Sequence, residues 1–232
     1  MRLKDSIVVI TGAAHGLGRA LAVACASAGA KIVMSDFDDM ALSKTADELS
    51  VLSVPADVTK EEDVHSLAKK TLDHFGRIDI WINNAGIGIP HTKFEDLSMA
   101  DLHKLMDVNF FGLAYGSQVA YKQMLTQKSG AIINIVSVRA LDEFLKQGTT
   151  AYGASKSAAH GFTNILRLEA EGNGIFVGGV YHTRTKTNFH NTQKPEDYDT
   201  FMEPSFVADA IVHNILQNSP VKELIVTDGL HT

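Results

Sequence analysis

Tyr152 and Lys156 lie four residues apart in the segment Tyr152-Gly153-Ala154-Ser155-Lys156. On a helix that spacing puts both side chains on one face, about 5–6 Å apart at Cβ. A free phenol, with a pKa of about 10, neither gives nor takes a proton readily at pH 7. A cation a few ångströms away favours the phenolate and can lower that value by about 1–3 units. Such a pair suits proton transfer to or from an alcohol while hydride moves elsewhere. Alone it is weak evidence, because the chain has five tyrosines and the same segment also reads as the start of an amphipathic helix.

A second constellation lies near the N-terminus, in Thr11-Gly12-Ala13-Ala14-His15-Gly16-Leu17-Gly18. It falls between a β-branched run and a segment of helical period. Glycines there let the backbone turn tightly and approach a pyrophosphate, while free N–H groups and the helix dipole favour negative charge. The plainer alternative is a glycine-rich turn. Asp36 follows the second β-branched run, where a carboxylate can accept hydrogen bonds from adenosine ribose hydroxyls. It also repels a 2′-phosphate: two unit charges ~4 Å apart cost about 4 kcal/mol at an effective dielectric of 20. NAD is therefore expected over NADP. With Asp38 and Asp39 next to it, Asp36 also reads as a surface turn acid.

The elements that must position these residues alternate regularly. Short apolar runs at Ile7–Ile10, Ile32–Met34, Val51–Val54, Ile78–Ile82, Ala131–Val136, Ile175–Val180 and Leu224–Val226 are separated by helical spacers. The pattern predicts βα units and a parallel sheet buried on both faces. In the first spacer Leu17, Ala20, Leu21, Ala24, Cys25 and Ala28 form one helical stripe, closed by Gly29 as a C-cap. Thr59 with Glu62 reads as a capping box for a later helix. No linker or repeat divides the chain, so one domain over 1–232 is expected. The polar stretch 183–204 is expected to be a mobile substrate loop.

With these segments in place, the sequence resembles the short-chain dehydrogenase/reductase family in its compact single-domain form. The resemblance rests on the Thr11–Gly18 cradle, Asp57-Val58, Asn83-Asn84-Ala85-Gly86, Asn109, Asn134-Ile135-Val136-Ser137 and the Tyr152/Lys156 pair. It implies a Rossmann-like, doubly wound parallel sheet in the order 3-2-1-4-5-6-7, with helices on both faces in three α/β/α layers. It also implies an NAD(H)-dependent oxidoreductase that interconverts a secondary alcohol and a ketone.

By the same resemblance Tyr152 is the general acid/base and Ser137 holds the substrate oxygen. Lys156 binds the nicotinamide ribose and lowers the tyrosine pKa, and Asn109 anchors a water that joins Lys156 to solvent. Gly12, Ala14, His15, Gly16, Leu17, Gly18, Asp36, Phe37, Asp57, Val58, Asn84, Ala85, Gly86 and Thr187 belong with Tyr152 and Lys156 to the cofactor cleft. A homodimer or homotetramer is implied, with helices around Asp101–Gln127 and Tyr152–Glu171 packing against their mates. The chain departs from the family where a Pro-Gly pair is usual: here His182-Thr183 stands. The Ser137-to-Tyr152 interval is two residues longer than the common one. The segment after Thr187 is compressed, although Ile225-Val226-Thr227-Asp228-Gly229 still resembles the last strand and its exit. The altered segment keeps a second reading open, a catalytically silent dinucleotide-binding sensor or scaffold.

Composition narrows the alternatives. The formal charge of −6 and the 27 acidic against 21 basic residues speak against nucleic acid or an anionic membrane as partner. A single cysteine, Cys25, permits no internal disulfide and reads as a core thiol. No apolar run approaches the ~18–20 residues that span a bilayer. The chain runs directly from Met1 into a strand-like segment, so no cleavable signal and a cytoplasmic location are expected. None of the ten histidines falls in a tight ligand motif, so no metal is expected at pairs such as His65/His74 or His182/His190. Arg139, Lys146, Arg184 and Lys186 border the expected pocket and could meet an anionic group on a substrate. The plainer reading, loop surface charge, is the one favoured here.

Overall fold

The computed structural model describes residues 2–187 and 196–228. Seven parallel strands form one sheet: β1 (Ile7–Thr11), β2 (Lys31–Ser35), β3 (Leu52–Ser53), β4 (Ile80–Asn83), β5 (Gly130–Ile135), β6 (Ile175–His182) and β7 (Glu223–Val226). Their spatial order is β3-β2-β1-β4-β5-β6-β7. The order expected from the sequence is therefore observed.

Alternation along each strand builds two cores at once. Val8 and Ile10 of β1 join Ile80 and Ile82 of β4 on one face, where α1 (Gly16–Ser27), α2 (Asp39–Leu49) and α7 (Pro204–Leu216) supply Leu21, Leu42 and Ile211. Ile7 and Val9 join Trp81 on the other. There α3 (Glu61–Phe75), α5 (Gly112–Gln127) and α6 (Thr150–Glu169) supply Leu67, Met124 and Leu166. A strand buried on both faces favours apolar side chains at successive positions, which is why Ile7–Ile10 is unbroken; Thr11, also buried, ends it. Cys25 is fully buried in the first core, and burial pushes its thiol up to about 12.

The chain steps outward from β1 through β2 to β3, then returns to the far side of β1 with β4. This reversal opens a crevice beyond the carboxyl ends of β1 and β4, the place where open α/β sheets bind ligands. A buried polar chain stiffens its floor. Trp81 Nε1 donates to Asn83 Oδ1 (2.7 Å), Asn83 Nδ2 to Asn134 Oδ1 (2.8 Å), and Asn134 Nδ2 to Thr163 Oγ1 (2.9 Å). Strands β4 and β5 and helix α6 are thus locked together beneath the site.

Two local expectations are corrected. Thr59 does not cap α3: the cap position is Lys60, and the Thr59 hydroxyl donates instead to Asp57 Oδ1 (2.8 Å). The nearby carboxylate offers the hydroxyl an acceptor two residues back, so it closes the preceding turn. The third strand is regular only over Leu52–Ser53; Val54 N and Ala56 N still donate to Met34 O and Asp36 O, while Pro55 between them has no N–H. α1 ends at Ser27 with Ala28 as cap, and Gly29 follows at φ +88°, the left-handed step that ends the helix. Among the described residues no helix is long and apolar enough to cross a membrane.

The described parts of the 183–204 stretch are tied to each other. Lys186 N donates to Met202 O (2.8 Å) and Met202 N to Arg184 O (3.1 Å), and Phe201 and Met202 are buried. Residues 188–195, with His190 among them, lie outside the described residues, as does Gly229.

Candidate active site

The loop between β1 and α1 owes its path to glycine. Gly12 has φ +63° and Gly16 φ +52°. A Cβ on Gly18 would stand 2.1 Å from the Gly12 carbonyl oxygen. The loop is also tied to the loop after β4. Asn84 Nδ2 donates to Thr11 O and Gly12 O, both at 2.9 Å, while Thr11 Oγ1 accepts from Asn84 N (3.1 Å) and Ala85 N (3.2 Å).

Asp36, buried at the end of β2, accepts from Ala14 N (3.0 Å) and Asp38 N (3.2 Å). It therefore shapes the cradle and is not a free surface acid. Thr187 reaches the same loop: a Cβ on Gly16 would stand 3.0 Å from its Cγ2.

Other expected cofactor residues sit around this frame. The Leu17 side chain packs in the core, so what it offers a ligand is backbone at the first turn of α1. The His15 ring is more than half exposed, with Nε2 4.0 Å from Asp38 Oδ2, and Phe37 is 80% exposed beyond the strand end. Asp57 Oδ1 accepts from Thr59 N (3.0 Å), and Val58 packs where a Cβ on Gly112 would meet its Cγ2 at 2.8 Å. A dinucleotide phosphate suits such a loop, because its contact surface is bare backbone at a helix N-terminus with no room for added carbon.

Across the crevice α6 brings Tyr152 and Lys156 to the ends of β5 and β4. Lys156 Nζ lies 5.9 Å from the centre of the Tyr152 ring and donates to Ile135 O (3.0 Å). Tyr152 is hydrogen-bonded to Ser137, which stands just beyond β5. Asn109 sits in a single π turn, Asp107–Phe111, between α4 (Met99–Met106) and α5. Its Oδ1 accepts from Ile87 N (2.8 Å), and its Nδ2 donates to Ile87 O and Ser155 Oγ, both at 3.0 Å. Its amide thus holds the β4 loop to α6. A Cβ on Gly86 would stand 3.3 Å from Asn109 Oδ1 and 3.6 Å from Lys156 Nζ, so the three elements meet at that glycine.

The electrostatics correct another expectation. Burial pushes the Tyr152 phenol up to about 12, against the opposing pull of the Ser137 hydrogen bond and the Arg139 charge. Burial also brings the Lys156 ammonium down to about 8. The Lys156 ammonium donates to Ile135 O, and loss of water disfavours both charged forms. At neutral pH the phenol carries its proton.

The His182-Thr183 departure is absorbed by the sheet. His182 is the last residue of β6 and pairs in register with Val226. Its Nδ1 lies 2.7 Å from Thr183 O, which only accepts, so Nδ1 carries the proton and Nε2 is left as an acceptor. Burial, with the nearby Lys156 charge, holds the ring well down, at about 4.

The four border cations differ. Arg184 pairs with Asp197 and lies 4.5 Å over the Phe201 ring. Lys186 pairs with Glu203 (2.7 Å). Lys146 lines a cavity of about 450 Å³ with Thr150, Gly153, Ala154 and Ser157. That spacing is a face of α6 turned away from Tyr152 and Lys156. Arg139 is half-buried beside Tyr152. The sequence reading gave no role to Thr11 or Ser155, which secure the two loops. Their signal was position, one ending a strand and the other adjoining Lys156, but neither pattern specifies a bond partner.

The model of the family described as short chain dehydrogenase matches residues 6–197. An uncharacterized oxidoreductase of Staphylococcus aureus (strain MRSA252) is 34% identical over 218 residues, covering 93% of each chain. The fold matches that of 3-ketoacyl-(acyl-carrier-protein) reductase from Brucella melitensis complexed with NADH (TM-score 0.91, 25% identity, 99% of this chain and 100% of that one). It also matches a short-chain dehydrogenase/reductase from Burkholderia phymatum in complex with NAD (TM-score 0.87, 25% identity, 98% and 90%).

Proposed function

Because this chain belongs to the short-chain dehydrogenase family, we propose that it is an NAD(H)-dependent oxidoreductase interconverting a secondary alcohol and a ketone, with Tyr152 as general acid/base. The observation that carries the proposal is the meeting of Ser137, Tyr152, Lys156 and Gly86 at the mouth of the β1/β4 crevice. A nicotinamide dinucleotide supplies the hydride chemistry when bound. Gly12, Ala14, His15, Gly16, Leu17 and Gly18 would hold its pyrophosphate, Asp36 and Phe37 would border its adenosine ribose, and Asp57 and Val58 its adenine. Asn84, Ala85, Gly86, Lys156 and Thr187 would line the nicotinamide side.

In reduction Ser137 and Tyr152 hold the carbonyl oxygen, and Tyr152 releases its proton to that oxygen as the alcohol forms. In oxidation the direction reverses, and the phenolate takes the hydroxyl proton. Lys156 stabilises the phenolate when it forms. Burial keeps Tyr152 protonated before reaction, the state a carbonyl reduction requires.

The test is a panel of secondary alcohols and ketones followed by cofactor absorbance at 340 nm. Tyr152→Phe should lower kcat by at least about a thousandfold, within the range of a general acid/base contribution, and leave NADH affinity nearly unchanged. Near-normal turnover in that variant sinks the mechanism. Tight NADH binding with no turnover of any panel member by the unaltered protein would favour the sensor reading.

A further inference from the structure

We propose that the substrate is an anion, an oxo or hydroxy compound carrying a carboxylate or phosphate, and that Arg139 is the residue that binds this group. The inference rests on the reading of Ser137 and Tyr152 as the groups that hold the reacting oxygen. Arg139 belongs to the 3-10 turn Val138–Ala140 that follows β5. Its own N–H donates to Ser137 Oγ at 3.2 Å, so the backbone of Arg139 is held against the serine. Its carbonyl oxygen faces the first turn of α6, where a Cβ on Gly153 would stand 3.7 Å away. Its charge acts on the phenol next door.

What marks Arg139 is partial burial without a counter-charge. Arg19, Arg77, Arg167 and Arg184 each meet a carboxylate, on Glu48, Asp79, Glu223 and Asp197, and Arg2, which meets none, is exposed to water. Among the described residues no carboxylate pairs with Arg139. Of its five N–H donors, one is used by the Phe144 carbonyl oxygen. A half-buried cation without a counter-charge is costly to keep. The charge of Arg184 lies near enough to disfavour it further.

A carboxylate or phosphate on the substrate supplies the missing partner, with a planar fork that matches either group in two hydrogen bonds. Such a contact sits beside the oxygen held by Ser137 and Tyr152, so it fixes which end of the molecule enters first. The longer segment between Ser137 and Tyr152 carries Phe144, whose carbonyl oxygen accepts from the guanidinium.

The test is binding to the NADH-loaded protein, read by quenching of the cofactor fluorescence. Acetoacetate against its methyl ester isolates a carboxylate, and dihydroxyacetone phosphate against dihydroxyacetone isolates a phosphate. At least one anion should bind about ten- to a hundredfold tighter than its neutral partner, and the better pair names the group. In Arg139→Met that ratio should fall towards one, while Arg139→Lys should keep part of it. NADH binding by each variant checks its folding. Should Arg139→Met fail this check, Arg139→Gln keeps a donor for Phe144 O and carries the test. Equal binding of anion and neutral partner by the unaltered protein overturns the proposal, as does an anion preference that survives the loss of Arg139. Anion preference through Arg139 with no turnover of any panel member would overturn the proposed reaction and leave the anion site standing.

Discussion

The two sides of the crevice are built by different means. On the β1/β2/β4 side, contacts run through backbone: Thr11, Asn84 and Asp36 each bond main-chain groups, and Gly18 is fixed by a carbonyl oxygen next to it. On the β5/β6 side, side chains from separate segments do the work: Tyr152 on Ser137, Arg184 on Asp197 and Phe201. A backbone cradle suits a ligand part common to many proteins, such as a pyrophosphate. A side-chain pocket can change with the substrate, because no single residue type is dictated by the path of the chain.

The contrast is sharpest at glycine. On the first side a methyl group at Gly18 collides with Gly12 O at 2.1 Å and Asn84 Nδ2 at 2.6 Å. Neither atom is free to move, since the asparagine holds two carbonyls. Gly18→Ala should weaken NADH binding by about a hundredfold or more, roughly 3 kcal/mol, at the upper end of overpacking costs. On the second side Gly153 has 3.7 Å of clearance to Arg139 O. Gly153→Ala should leave NADH affinity within about twofold. Titration of both variants with NADH measures the pair, and equal losses would erase the distinction.

A smaller effect is expected at Asp36. Its carboxylate is anchored by two amide N–H groups, so it holds its place against a 2′-phosphate. The unaltered protein should prefer NAD to NADP. Asp36→Asn, which keeps the size and removes the charge, should lower that preference by about tenfold or more, a fraction of the repulsion of ~4 kcal/mol between close charges. The ratio of kcat/KM for the two cofactors reads this directly. An unchanged ratio would mean that discrimination lies elsewhere, for example at the exposed His15.

The same division explains what could be read from the sequence. The strands, their order and the glycine loop follow from local pattern: two-sided burial leaves unbroken apolar runs, and tight turns leave glycine. Tyr152 and Lys156 were legible because one helix sets their spacing. What was not legible depends on which distant segments meet. Arg139 looks like any loop arginine until Tyr152 lies beside it and no carboxylate does. Nothing in the sequence tells that the Asn109 amide ties Ile87 to Ser155. The phenol's shift runs upward because desolvation, invisible in a spacing of four, outweighs the Ser137 hydrogen bond and the Arg139 charge. Thr59 lost its capping role to an acceptor two residues away.

His182 gives the second side its finest probe. An imidazole in the unfolded chain takes up a proton near pH 6.5, whereas burial and Lys156 hold the folded one at about 4. Between those values the unfolded chain binds more protons, so stability falls as pH falls. The contribution is fully present above pH 6.5 and lost as pH drops through 4. Its size is on the order of 1–3 kcal/mol, discounted from the full shift because the residue is only partly buried. Urea unfolding of the unaltered protein and of His182→Gln should therefore converge in acid: the unaltered protein loses that much more between pH 7 and pH 4. Carboxylates titrate in the same window but do so in both proteins, and the difference isolates the ring. Curves that stay parallel would mean that water reaches His182 in the folded chain. The end of β6 would then be open where the packing of Thr183 and Thr185 closes it.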